Sequence, residues 1–174
     1  MTILGINLIM SKNKIQKTKH ELSNDFRQKV TRLEQTMIAG ADGENIIAGT
    51  KDKPIVTNSD KIPIKHFFME GVYVREMTMF KGTAVVGAIH KHLHMCFLLS
   101  GCLTVTDENG TKDYIAPCYI ISSPGIKRVL YAHEDSIWYN IHQNPTNTED
   151  VKEIEENLVA INYKEYEKYI NEKK

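Results

Sequence analysis

The sequence predicts a mainly β chain, a jelly roll or small barrel with an α-helix on either side. After Pro63 the apolar residues fall into short β-branched and aromatic runs separated by turns, roughly seven or eight strands in about eighty residues. On both flanks of that region the apolar spacing changes to the period of a helix.

Residues 1–10, MTILGINLIM, are apolar but lack a positive n-region, a full-length h-region and a small-residue cleavage site, so they read as neither signal peptide nor membrane span. They form either a leader upstream of a start at Met10 or a short strand or oligomer arm. Residues 11–40 predict an amphipathic helix, because Ile15, Leu22, Phe26, Val30, Leu33 and Met37 recur at helical spacing and Gly40 supplies a stop. That stripe exceeds what one small barrel covers, so a two-fold homodimer is expected to bury it. Residues 41–63, with Gly43, Gly49, Pro54 and Pro63, have no sustained period and read as a connector. The barrel is expected over 64–143, from HFFMEGVYVREMTMF through TAVVGAIHKHLHMCFLLSG to SIWYNIH, with a hairpin turn at Asn109-Gly110. Over 144–174, Val151, Ile154, Leu158 and Ile161 share one helical face and predict a C-terminal helix.

The chain has 174 residues and a formal net charge of zero, so no basic field recruits duplex nucleic acid or an anionic membrane. Cys96, Cys102 and Cys118 are odd in number and form no C-x-x-C pair, as expected of reduced thiols in a cytoplasm. The sequence also has no serine nucleophile elbow, Walker loop or dinucleotide-binding glycine fingerprint.

His90, His92 and His94 stand at spacing two in an apolar run. On a continuous strand all three rings share one face, and neutral imidazoles suit zinc, iron, nickel, copper or manganese. The alternative is a metal-free wall in which two imidazoles act as general base and general acid. His142 and His66, near strand ends, can also reach the interior. Tyr73, Tyr131, Trp138 and Tyr139 are candidates to stack on a ring of a ligand, or core aromatics. Arg75-Glu76 reads as a solvated or inter-strand ion pair.

These residues resemble the cupin family. Anchored on Gly82 and Gly101, the spacing of that family's first motif puts Ala88 on its first His, His90 on its second and His94 on its Glu. PCYIISSPGIKRVLYA resembles the second motif, with Pro124-Gly125 on the turn, Pro117 for the leading Gly, Arg128 where a metal-binding His would stand and Ala132 where an Asn would. A narrower similarity, through HFFMEGVYVREM, VVGAIHKHLH, PGIKRVLYAHEDSIW and Ile141-His142, is to small cupin-like proteins of bacteriophages. The resemblance implies a cupin-like jelly-roll barrel and a phage protein acting in the cytoplasm of an infected host.

Arg128 stays protonated, cannot ligate a cation, and offers a fork to a carboxylate or phosphate, unless it pairs with Glu134 or Asp135. The expected site therefore comprises His90, His92 and His94 as metal ligands or acid–base groups, with Arg128, Trp138, Tyr139 and His142 around a small anionic, nucleotide-like molecule. Three functions fit such a barrel: a hydrolase or phosphodiesterase that counters host defence signalling, a protein that sequesters the same ligand, and a virion or assembly component.

Overall fold

The structure, a computed structural model, describes residues 19–40 and 62–173. The leader at 1–10 and nearly all of the connector lie outside the described residues. Helix α1 (Lys19–Ala39) is followed by β1 (Ile64–Met69), β2 (Gly71–Met79), β3 (Ala84–Val86), β4 (Ile89–His90), β5 (His94–Ser100) and β6 (Cys102–Asp107). Next come β7 (Gly110–Ile115), β8 (Cys118–Ser122), β9 (Val129–Ala132), β10 (Ser136–Asn144), α2 (Val151–Leu158), β11 (Val159–Ala160) and α3 (Tyr163–Glu172).

Ten of these strands, β11 excepted, belong to the 64–144 region, and nine of them build two antiparallel sheets, ordered β1-β2-β10-β5-β8 and β3-β9-β6-β7. Sequence neighbours cross between the sheets, as in a jelly roll. The core lies between them, where Met77, Leu98 and Trp138 of the larger sheet meet Val85, Leu103, Val105 and Leu130 of the smaller. Leu103 is fully buried, so Leu103→Ala is expected to cost roughly 2–5 kcal/mol through lost transfer energy and a residual cavity. Urea unfolding checks this as a lower midpoint at unchanged slope.

The register grades the interior from apolar to polar. Across the larger sheet, Ile64, Met77, Trp138, Leu98 and Cys118 form one inward rung, and His66, Arg75, Asn140, Cys96 and Ile120 form the next. One step further, Phe68, Tyr73 and His142 are aligned, as are His94 and Ser122 on β5 and β8. Strand alternation thus carries three kinds of side chain to three depths of one barrel.

Helix α1 lies on its own chain. Val30 is buried, Ser23 Oγ donates to Glu108 at 2.6 Å, and Lys127 Nζ donates to Glu34 at 2.7 Å. Arg27 sits over the Tyr163 ring, 4.5 Å from its centroid. The stripe expected to drive dimerisation is therefore partly covered within the chain, although Leu33 and Met37 stay exposed.

Where one C-terminal helix is expected, the structure has two helices with a strand between them. The β-branched Val159 pairs with His90 and Ala160 with Ile89, and Asn162 caps α3 by accepting from the Glu165 amide. A side chain that competes for backbone amides favours a new helix start over continuation. Asp150 caps α2 in the same way, accepting from the amides of Lys152 and Glu153.

Candidate metal and small-molecule site

His90, His94 and His142 converge at the polar end of the barrel. Each offers one ring nitrogen, and these three atoms all lie within 4.8 Å of one another. Ring centroids are 4.0 Å apart for His90 and His94, 4.5 Å for His94 and His142, and 5.0 Å for His90 and His142. All three residues are buried. The register places them: β5 begins at His94, β10 carries His142 inward two residues after Asn140, and β4 ends on His90.

Hydrogen bonding sets the tautomer of His94. Its Nδ1 lies 3.2 Å from the carbonyl oxygen of His92, and a carbonyl only accepts, so Nδ1 carries the proton and Nε2 keeps its lone pair. That Nε2 and His90 Nδ1 are buried without a hydrogen-bond partner. Burial, then the neighbouring His94 and His142, hold His90 well below the usual imidazole range. Burial lowers His94 to about 4 and, with help from His94, lowers His142 to about 2. The cluster is neutral at physiological pH, the protonation state that ligates a metal.

His92 does not join this cluster. The chain bends at residues 91 and 92 between β4 and β5, so the continuous strand that would align the three rings is interrupted. Its Nε2 instead donates to the Asn157 carbonyl at 3.2 Å, and its ring meets Tyr169 edge-on.

The remaining expected residues divide between the interior and the outer surface. Arg128 is buried and lines the cavity beside the histidines. It donates from a terminal nitrogen to Ser122 Oγ at 2.6 Å, and its Nε is 3.6 Å from Asp107, so Asp107 rather than Glu134 or Asp135 is its carboxylate partner. Trp138 also lines the cavity, with its indole N–H donating to Asn140 Oδ1 at 3.2 Å. Tyr139 points to the opposite face of the sheet and donates its hydroxyl to Glu76. His66 reaches Tyr73 Oη at 2.8 Å, and Tyr131 is exposed against His133.

Arg75, Asn140 and Cys96 also line the cavity. Arg75 is not paired with the adjacent Glu76, because neighbours on a strand face opposite ways. It lies 3.7 Å from Glu155 of α2, while Glu76 accepts from Lys65. The inward parity of Arg75 with Tyr73, Met77 and Met79 is the sequence signal for its placement. Asn140 Oδ1 also accepts from the Cys96 thiol at 3.3 Å, and burial pushes that thiol up to about 12.

The lined cavity is small, about 50 Å³. Beside it the C-terminal segment packs on the barrel, where Ile154, Leu158 and Val159 meet Tyr73, Phe68 and Ala88. Gly125 donates its amide to the His90 carbonyl at 2.9 Å with φ of +83°. A Cβ there would stand 2.8 Å from the Tyr166 ring, so this turn needs glycine both for its backbone and for the approach of α3.

No family model matches the chain, and no curated protein matches it. Among solved structures it is similar to a conserved protein of unknown function from Streptococcus pyogenes, at 19% identity over 49% of this chain and 76% of that one, with a TM-score of 0.42. It is also similar to ectoine synthase from P. lautus, at 13% identity over 51% and 67% of the two chains, with a TM-score of 0.45. An RmlC-like cupin from Shewanella frigidimarina matches at 13% identity over 56% and 84%, also with a TM-score of 0.45. Among the described residues, no helix is long and apolar enough to cross a membrane.

Proposed function

We propose that this protein binds a divalent transition metal through His90, His94 and His142 and, in the same cavity, a compact anionic small molecule recognised by Arg128 and Arg75. The observation that carries this reading is the pair of buried, partnerless nitrogens, His90 Nδ1 and His94 Nε2, beside a third imidazole. A buried polar atom left without a partner costs about 1–3 kcal/mol, and a metal removes that cost at both atoms. An all-imidazole donor set suits zinc, iron, nickel or copper better than the oxygen-seeking calcium, magnesium and manganese. When bound, such an ion supplies Lewis acidity toward a ligand oxygen.

The chain's own residues supply binding and orientation. Ser122 and Asp107 hold the Arg128 guanidinium, and Glu155 stands beside that of Arg75. The two carboxylates offset the two cations, which lessens the repulsion a divalent ion meets at the histidines. Each guanidinium retains further N–H donors for an incoming carboxylate or phosphate. Arg128→Ala is expected to weaken anion binding by roughly 10- to 100-fold, the loss of charge-assisted hydrogen bonds worth about 1.5–3 kcal/mol. Titration calorimetry with small carboxylates and inorganic phosphate measures it, and unchanged affinity removes Arg128 from the site.

A volume of about 50 Å³ suits a compact anion, whereas drug-sized ligands occupy roughly 300–1,000 Å³. A nucleotide, and with it a role in countering host defence signalling, therefore requires the cavity to widen. Metal-free acid–base hydrolysis is less well supported. Burial holds His90, His94 and His142 below the usual imidazole range, which disfavours an imidazolium as general acid at neutral pH.

Elemental analysis of untagged, chelator-free protein tests the proposal. One zinc, iron, nickel or copper per chain is expected, and its absence after incubation with each ion refutes it. Incubation with small phosphates, carboxylates and nucleotides, followed by chromatography, then separates turnover from capture.

A further inference from the structure

The outward face of the five-stranded sheet is apolar. Phe67 and Met69 on β1, Met95 and Leu99 on β5, and Tyr119 and Ile121 on β8 all point away from the barrel interior and are between 37% and 62% exposed. A sheet with one face on a core and the other in water normally alternates apolar with polar residues. β5 reads HMCFLLS and β8 reads CYIIS, so alternation is lost where the outer face should be polar.

From this face we infer an interaction surface for a second copy of the chain, packed sheet to sheet about a two-fold axis. Six large side chains, each presenting roughly half of the ~200 Å² that such a group can bury, supply on the order of 600 Å². The partly covered residues between them, such as Phe97 and Ile141, bring this near the ~800 Å² per partner of a standard stable interface. That exceeds the patch a monomer ordinarily leaves in water.

Charge does not oppose self-association. On the described strands of this face the charged residues are Lys65 and Glu76, and they neutralise each other: Lys65 Nζ donates to Glu76 at 2.8 Å, and Tyr139 donates to the same carboxylate. A two-fold contact therefore brings no uncompensated like charges together. The face has no cluster of lysines or arginines to draw it to anionic lipid. Aligned face-to-face packing is the ordinary way for two twisted sheets to bury such surfaces.

Sedimentation velocity on the full chain at micromolar concentration is expected to give a dimer. The pair Tyr119→Lys and Ile121→Lys, outward on edge strand β8, is expected to raise the dimer dissociation constant on the order of 100-fold or more, with circular dichroism and the thermal transition retained. The pair Leu33→Glu and Met37→Glu on α1 is expected to leave the dimer intact. If the β8 double variant does not fold, Leu99→Gln serves in its place, with at least a tenfold weaker dimer expected. A monomeric wild type overturns the inference, including one that floats with lipid vesicles. So does a dimer that survives the sheet variants or yields only to the α1 variants.

Discussion

Replacing His142 with alanine is expected to abolish the metal occupancy of the protein, whereas replacing His92 leaves it intact. His142 supplies one of three nitrogens that lie within 4.8 Å of one another. Loss of a group that merely orients a ligand costs about 10- to 100-fold in metal affinity, and loss of a ligand costs more. The His92 side chain contacts Asn157 and Tyr169 instead. Its backbone carbonyl, which orients His94, survives substitution, so His92→Ala should change affinity by no more than a few-fold. Competition titration against a chromophoric chelator, with elemental analysis of the purified variants, measures both. The opposite pattern, with metal retained in His142→Ala and lost in His92→Ala, would show that the ligands follow the spacing of the sequence rather than the cluster.

Acid is expected to destabilise the metal-free protein steeply below about pH 6.5. His90, His94 and His142 all have folded pKa values lowered from an unfolded value near 6.5. Between the two values the unfolded chain binds protons that the folded chain does not, so stability is full above about pH 6.5 and falls as pH drops. Each such proton contributes about 1.4 kcal/mol per pH unit, and three give a slope of up to about 4 kcal/mol per unit. His94 stops contributing near pH 4, and His142 continues toward 2. Urea unfolding at pH 7.5, 6.5 and 5.5 in the presence of chelator measures the slope. His142→Gln should reduce it by about a third, and a profile that is flat over this range would show that the three imidazoles do not stay neutral on folding.

Much of this fold was legible from period alone. The alternation in SIWYNIHQN aims Trp138, Asn140 and His142 inward together, and the shift to short runs after Pro63 marks the barrel. The histidine spacing misled at one position. Strand parity assigns His90, His92 and His94 to one wall, but the bend between β4 and β5 uncouples His92, and such a bend has no periodic signature. The partner of Arg75 was equally hidden, since Glu155 is 80 residues away in sequence and meets it only through packing of α2. The broken C-terminal helix followed a local conflict. Val159 and Ala160 are equally at home in a helix repeat or beside β4, and the Asn162 cap decides between them. The apolar outer sheet face was visible in HMCFLLS, yet a continuous apolar run does not say which side of it is covered.

The two-rung pairing of β11 with β4 joins His90 to Val159 and Ile89 to Ala160. His94 and His142 are placed by the central ladder, but β4 finds its sheet partner in a strand 69 residues later in the chain. Within the barrel the His90 carbonyl accepts from the Gly125 amide at 2.9 Å, and β11 adds the second side of its strand. That second side comes from the closure of a long loop, a late and topologically distant step of folding. A barrel formed before β11 docks therefore presents His94 and His142 on a finished ladder but His90 on a strand held from one side, so full metal affinity is expected only after the C-terminal segment has closed.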